Sequence, residues 1–170
     1  MGSFGEDMVV PGSRTAIREL PKVSLHDHLD GGLRTQTIIE LAEPLGLELP
    51  ASDGQTLAAW FAEKSDSGSL VEYLKTFDVT IAVMQTPEGL TRVAREFVED
   101  LAADGVLYGE IRWAPEQHLQ RGLSLDETVE AVQRGIEEAT DAVRSAGGWI
   151  RAGQLVSAMR HLDRGIEIAE

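Results

Sequence analysis

Two imidazoles and a carboxylate lie close together in segment 25–32, which reads Leu-His-Asp-His-Leu-Asp-Gly-Gly. In an extended chain alternate side chains share a face, so Ser24, His26, His28 and Asp30 point one way; residues two apart on a helix diverge. Neutral imidazole is the usual nitrogen ligand of zinc, and catalytic zinc combines protein ligands with one open position. The segment therefore predicts part of a metal site at a strand end, with further ligands supplied from elsewhere.

A simpler interpretation of the same residues stays open. A bare His-x-His pair also occurs as surface or hydrogen-bonded histidines on an ordinary strand. Under that interpretation the two glycines only form a turn, and Asp30 is solvated or caps the next segment of the chain. His118 lies in a polar loop and is expected to be solvated, Arg112 is expected to pair with an acidic neighbour, and Trp113 is expected to pack.

Composition excludes several classes of protein. The chain has 170 residues, a formal net charge of −14 and no cysteine. An acidic surface argues against binding to nucleic acid or anionic membranes. The absence of cysteine excludes disulfides and thiolate metal sites, including that of the His/Cys zinc deaminases of nucleic acids. No apolar run could span a bilayer, and the N-terminus lacks a secretion signal, so we expect a cytoplasmic protein with a disordered leader at residues 1–12.

Periodicity predicts strands alternating with helices. The predicted strands are Lys22–Leu29, Val106–Trp113 and Trp149–Met159. The predicted helices are Ser13–Leu20, one from Thr35 to about Gly46, Leu57–Glu63, Ser69–Met84, Thr86–Asp104, Ser124–Ala146 and one that begins at Asp163.

This order predicts an α/β fold with parallel strands and crossover helices. Three strands cannot close a (β/α)₈ barrel of the TIM type, which needs about 250 residues. We therefore expect residues 13–170 to be the N-terminal portion of one such barrel, whose C-terminal half is absent here. Functional groups of these barrels lie at the carboxyl ends of the strands. Those ends carry His26, His28, Asp30, Glu110, Arg112, Trp113, Met159, Arg160 and His161.

Four ordered segments together resemble the adenosine deaminase family of metal-dependent hydrolases. They are 20–32 (Leu-Pro-Lys-Val-Ser-Leu-His-Asp-His-Leu-Asp-Gly-Gly), 70–78 (Leu-Val-Glu-Tyr-Leu-Lys-Thr-Phe-Asp), 106–115 (Val-Leu-Tyr-Gly-Glu-Ile-Arg-Trp-Ala-Pro) and 159–161 (Met-Arg-His). Several motifs in family order are far more specific than one. The resemblance covers nearly all of this chain but about the first half of a family member.

The resemblance implies roles for particular residues. It makes His26 and His28 the first two ligands of a single Zn²⁺ and Asp30 the partner of the ribose 5′-hydroxyl. It makes Tyr73, Leu74 and Phe77 an apolar lid over the substrate, although ordinary helix core is the alternative for these three residues. It places Met159 and His161 near the pocket, and His28 also beside the substrate.

The implied reaction is zinc-dependent hydrolysis of adenosine, and of 2′-deoxyadenosine, to inosine and ammonia. The family takes its third histidine ligand and catalytic glutamate from a later His-Ala-Gly-Glu motif, and a further histidine and metal-binding aspartate come after it. This sequence contains none of them, so no catalytic residue is assigned in this chain. The expected partners are a small purine nucleoside and the missing half of the barrel; the sequence predicts no oligomeric state.

Three alternatives remain open at this stage. The substrate could be adenine or a modified nucleoside, although AMP is disfavoured because a phosphate prefers cations where Asp30 lies. The protein could be another metallohydrolase that opens with His-x-His on a strand. The chain could also be a non-catalytic fragment whose histidines are structural.

Overall fold

A parallel sheet of three strands, ordered β1-β2-β3, forms the centre of the fold. The computed structural model describes residues 9–169, apart from the side chain of Arg18. The strands are β1 (Lys22–His28), β2 (Val106–Trp113) and β3 (Arg151–Val156). The helices are α1 (Thr35–Leu45), α2 (Gly54–Ser65), α3 (Leu70–Val83), α4 (Pro87–Ala103), α5 (Leu125–Ser145) and α6 (Gly165–Ala169), with short 3₁₀ turns at Ile17–Glu19, Leu29–Gly31 and Pro115–His118.

The starts of three helices are fixed by local capping, as the sequence predicts. The side chains of Ser69 and Thr86 accept hydrogen bonds from the backbone at the start of α3 and α4, and Pro87 opens α4. Ser124 and Glu127 form a reciprocal capping box at α5. Helix α2 begins earlier than predicted because Asp53, three residues before Thr56, caps its first turn.

The predicted helix over 13–20 is wrong. Only Ile17–Glu19 is helical, as one 3₁₀ turn, and Val9 pairs with Ala16 in an antiparallel bridge. The Ser13 hydroxyl accepts from the N–H of Thr15 and so closes a local turn rather than a helix. The division at residue 12 stays a prediction, since residues 1–8 lie outside the described residues. No helix within 9–169 is both long and apolar enough to cross a membrane.

The helices cover one face of the sheet and leave the other face for polar groups. Gly109 of β2 lies against α4, where a Cβ would come 2.9 Å from Leu101. Ile111 and Trp113 are buried on that same side. Alternation places Arg112 on the opposite face, beside His28 of β1 in the strand register. Side chains at the carboxyl ends of β1 and β2 therefore share a surface.

Helices α4 and α5 pack closely enough that one contact point tolerates no side chain. A Cβ at Gly135 would overlap the Thr91 carbonyl and lie 2.9 Å from the Ala94 methyl group. The Thr91 hydroxyl donates to the Ala131 carbonyl across the same interface. Helix α4 packs against β2, and helix α5 packs against β3.

Strand β1 is not a regular strand. Ser24 is paired with Gly109 and Asp27 with Ile111, so three steps on β1 match two on β2. An extra residue of this kind is a β-bulge, which breaks the alternation of side chains. Leu25 and His26 are consequently both exposed, and the predicted two-face alternation holds only in part.

Candidate active site

The two histidines of β1 converge at its carboxyl end. The Nε2 atoms of His26 and His28 are 3.4 Å apart, and the ring centroids are 5.3 Å apart. Both side chains are exposed on the described surface. The strand thus presents two imidazole nitrogens to the same point in space.

The spacing of the nitrogens fits a shared metal ion. A tetrahedral ion with two nitrogen ligands at about 2.0–2.1 Å needs those nitrogens about 3.3–3.4 Å apart. The observed separation of 3.4 Å matches that value. Among the described residues no group of three or more His, Cys, Asp and Glu side chains could hold a metal ion.

Asp30 is a buried carboxylate beside this pair. It lies in the 3₁₀ turn Leu29–Gly31, is 8% exposed, and has its Oδ1 atom 3.8 Å from Nδ1 of His28. That Oδ1 atom is buried without a hydrogen-bond partner among the described residues. Burial raises the pKa of the Asp30 carboxyl, while its own backbone amide and the nearby His28 oppose the rise.

A groove of about 320 Å³ opens between the strand ends and α3. Its lining combines His28 and Asp30 with apolar side chains of α3, the end of β2 and residues that follow β2 and β3. The lining residues are His28, Asp30, Leu74, Phe77, Arg112, Trp113, Ala114, Gln117, Ser157 and Met159. His28, Asp30, Leu74, Phe77 and Met159 are therefore gathered around one space.

Three of the predicted residues, His26, Tyr73 and His161, do not line this groove. Tyr73 packs edge-on against Phe77, with ring centroids 5.4 Å apart, and lines a second cavity that also touches Asp30. His161 is exposed in the turn after β3 and does not line the groove. The backbone N–H of Met159, in the same connection, donates to the carboxylate of Glu116.

The amino-terminal half of α3 is an exposed apolar surface. Tyr73 is 40% and Leu74 52% exposed, whereas Thr76 and Thr80 of the same helix are buried. Helix core alone does not explain side chains exposed to this degree in the described part of the chain. Leu74 forms part of the groove wall, whereas Tyr73 lines the second cavity.

The expectation that His118 is solvated is wrong. The 3₁₀ turn Pro115–His118 folds its ring inward, where it is fully buried 5.5 Å from the Trp113 ring. Its Nδ1 atom lies 3.0 Å from the Met84 carbonyl oxygen, and its Nε2 atom has no partner among the described residues. Burial lowers the pKa of His118 to about 4, although the bond to the Met84 carbonyl opposes this.

Sequence reasoning missed several lining residues. Ala114, Gln117 and Ser157 were not proposed, although each comes after a strand end. Arg112 was expected to pair with an acid, yet its Nε atom is buried without a hydrogen-bond partner within residues 9–169. The sequence placed Arg112 at the carboxyl end of a strand, and the structure puts it opposite His28 in the register of β1 and β2.

The fold and the histidine-bearing strand end together define the class of protein. An Arabidopsis N6-mAMP deaminase matches with a TM-score of 0.71 and 30% identity, over 90% of this chain and 47% of that one. An amidohydrolase from Burkholderia ambifaria, solved with bound Zn, matches with a TM-score of 0.67 and 28% identity, over 86% and 38%. The three strands and their helices are thus a portion of the TIM-type (β/α)₈ barrel of the metal-dependent hydrolases.

Sequence comparison narrows the class to one family. Residues 21–170 match the adenosine deaminase family, and the chain belongs to it. Adenosine deaminase 1 of Streptomyces coelicolor is 56% identical over 155 residues, which are 91% of this chain and 39% of that protein. The chain therefore spans about 40% of the length of such curated relatives.

Proposed function

We propose that the full-length protein removes the 6-amino group of adenosine and 2′-deoxyadenosine by zinc-dependent hydrolysis, giving inosine and ammonia. The observation that carries the proposal is the 3.4 Å spacing of the His26 and His28 Nε2 atoms, together with the largely apolar groove that His28 lines. Membership of the adenosine deaminase family supports the choice of reaction.

His26 and His28 are the residues of this chain that would hold the ion. One zinc per site, when bound, lowers the pKa of a water molecule and so supplies hydroxide at neutral pH. The imidazoles must be neutral to bind, with Nε2 unprotonated, which leaves Nδ1 of His28 as the N–H facing Oδ1 of Asp30. The proposal leaves the third histidine ligand and the glutamate acid to the remainder of the protein.

Asp30 gives the site its preference for a nucleoside. A buried carboxylate is an acceptor only, and its Oδ1 atom has no hydrogen-bond partner among residues 9–169. The ribose 5′-hydroxyl would donate to it and thereby fix the position of the sugar. A free base leaves the carboxylate unpaired, and a 5′-phosphate adds a negative charge beside it, so both are poorer substrates.

Apolar side chains exclude water from the reacting end of the groove. Leu74 and Phe77 from α3 face Met159 from the segment after β3 across the groove. Tyr73 supports Phe77 from the side. Excluding water strengthens charge interactions at the site. His161, which lies beyond the groove wall, is assigned to the rim and would contact substrate only after its turn moves inward.

The direct test is deamination by the purified, zinc-loaded full-length protein with adenosine, 2′-deoxyadenosine, adenine and AMP in parallel. We expect turnover of the two nucleosides and little of the other compounds. The double variant His26→Ala, His28→Ala should lose bound zinc and turnover together. If that variant keeps full zinc content and full activity, the metal assignment is wrong.

The substrate assignment has its own test. Replacing Asp30 by Ala should lower kcat/KM for adenosine by about 10- to 100-fold, the cost of one hydrogen bond to a charged group. Asp78→Ala is the matched control, because Asp78 is exposed on α3 and does not line the groove. A protein that binds zinc but prefers AMP or adenine to adenosine would keep the metal site and overturn the nucleoside assignment.

A further inference from the structure

The carboxylate of Asp27 lies between the two histidines along the chain but does not line the groove. Its Oδ1 atom accepts the backbone N–H of His28 at 3.0 Å. Its Oδ2 atom lies 3.5 Å from the hydroxyl of Ser24, which donates to it. The side chain is half-buried against the strand. Asp27 therefore contacts the residues at both ends of the segment that carries His26.

These contacts span the β-bulge of β1. Strand β1 has two slips in register against β2, and the one that forms this bulge falls between Ser24 and Asp27, the two residues that the hydroxyl and the carboxylate join. A bulge interrupts the regular ladder and re-aims the side chains beside it. The hydrogen bonds of Asp27 are thus placed to fix the conformation of the strand between Ser24 and His28.

The bulge matters because the two rings must converge. Because a bulge sets the direction of the side chains beside it, a change in backbone torsion at residues 25–27 would turn the His26 ring relative to the His28 ring. The structure holds the Nε2 atoms 3.4 Å apart, the separation that a tetrahedral ion needs. The backbone N–H of His28 is held directly by Asp27, so the carboxylate acts on a residue of the pair without touching the metal position.

We propose that Asp27 is a positioning residue, which bridges Ser24 and the backbone of His28 across the bulge and so sets the spacing of the two metal-binding imidazoles. The inference rests on the proposed zinc site. It predicts that Asp27 tunes metal affinity and coordination geometry, a property that a residue serving only to stabilise the strand would not change.

The experiment compares three variants of the full-length protein. Asp27→Leu removes both hydrogen bonds at similar volume. Asp27→Asn keeps an oxygen for the His28 N–H and an amide that can donate to the Ser24 hydroxyl. Asp53→Leu is the matched control, because Asp53 also accepts a backbone N–H, that of Thr56 at 2.9 Å, on a distant helix. The readouts are zinc affinity, by competition with a chromophoric chelator, and the visible absorption of the cobalt(II)-substituted protein.

We expect Asp27→Leu to bind zinc about 10- to 100-fold more weakly, the usual effect of removing a group that orients a metal ligand, and to show an altered cobalt spectrum. Asp27→Asn and Asp53→Leu should stay close to the unsubstituted protein. Should Asp27→Leu fail to fold, Ser24→Ala removes one end of the bridge and should weaken zinc binding in the same direction.

Two results would overturn the inference while leaving the proposed function intact. One is an unchanged zinc affinity and cobalt spectrum in Asp27→Leu. The other is an Asp27→Asn variant as impaired as Asp27→Leu, since the effect would then come from charge and not from the two hydrogen bonds. If the unsubstituted protein neither binds zinc nor deaminates adenosine, the proposed function fails and the inference fails with it.

Discussion

Gly31 and Gly32 lie side by side after the histidine segment, and the structure predicts opposite responses to alanine. A Cβ at Gly32 would lie 2.5 Å and 2.6 Å from two carbons of the Phe97 ring, which is buried in the core. A Cβ at Gly31 would meet only ordinary contacts, 3.9 Å from the His28 Cβ and 4.0 Å from Phe77. Neither glycine has a positive φ, so the backbone itself accepts alanine at both positions.

The size of each effect can be worked out from these contacts. Overpacking a well-filled core costs about 1–3 kcal/mol, and we expect Gly32→Ala to lower the free energy of unfolding by about 2 kcal/mol. Gly31→Ala restricts the unfolded chain without a clash and should change stability by about 1 kcal/mol or less, in the stabilising direction. The assay is chemical denaturation of the full-length protein. Phe97→Leu in the Gly32→Ala background should recover part of the loss, because it removes ring atoms that the methyl group meets.

Either of two outcomes would refute this reasoning. One is a Gly32→Ala variant as stable as the unsubstituted protein. The other is equal destabilisation by both substitutions, because the effect would then be a general response of the turn. If the losses from Gly32→Ala and Phe97→Leu are simply additive, the contact between these residues is not the cause.

Two further predictions concern buried positions away from the groove. His118 has a pKa of about 4 when folded and 6.5 when exposed, so between these values the unfolded chain binds a proton that the folded protein does not. The free energy of unfolding should therefore fall as pH drops from about 6.5 to 4, by up to about 3 kcal/mol. His118→Asn, which can still donate to the Met84 carbonyl, should lose that part of the pH dependence in denaturation titrations; an unchanged profile would contradict the assignment. Gly135→Ala should destabilise the α4–α5 interface by about 2 kcal/mol or more, since its methyl group overlaps the Thr91 carbonyl. Gly153 has no atom near its Cβ position, and its alanine variant is the control in thermal unfolding.

Local signals accounted for the elements that sequence reasoning placed well. Ser124 with Glu127, and Thr86 with Pro87, cap their own helices through atoms within a few residues. Both ends of β2 (Val106–Trp113) were predicted correctly, because its alternating pattern of buried residues stops shortly before a proline. By contrast, β3 is shorter than Trp149–Met159, since pairing with β2 covers only Arg151–Val156.

The errors arose where distant contacts decide the outcome. The polar surroundings of His118 in the sequence indicated solvent, but the turn Pro115–His118 places its ring beside Trp113 and the end of α3. The segment 13–20 has helical spacing of apolar residues, yet the N–H of Val10 donates to the Thr15 carbonyl and holds the chain in a turn. Neither contact produces a periodic pattern of residue types that sequence analysis could detect.

The sequence by itself determined the alternation of strands and helices, the caps, and the histidine pair with its neighbouring aspartate. These depend on residue types at short spacing, where a few bonds and one periodicity decide the geometry. Only the tertiary structure decided that the Nε2 atoms of His26 and His28 lie 3.4 Å apart and that Asp30 is buried beside a groove lined by α3. The bulge depends on how β1 pairs with β2, and the burial of Asp30 depends on which elements cover its side chain. The physical reason is that both the pairing and the burial are set by residues far apart in the chain.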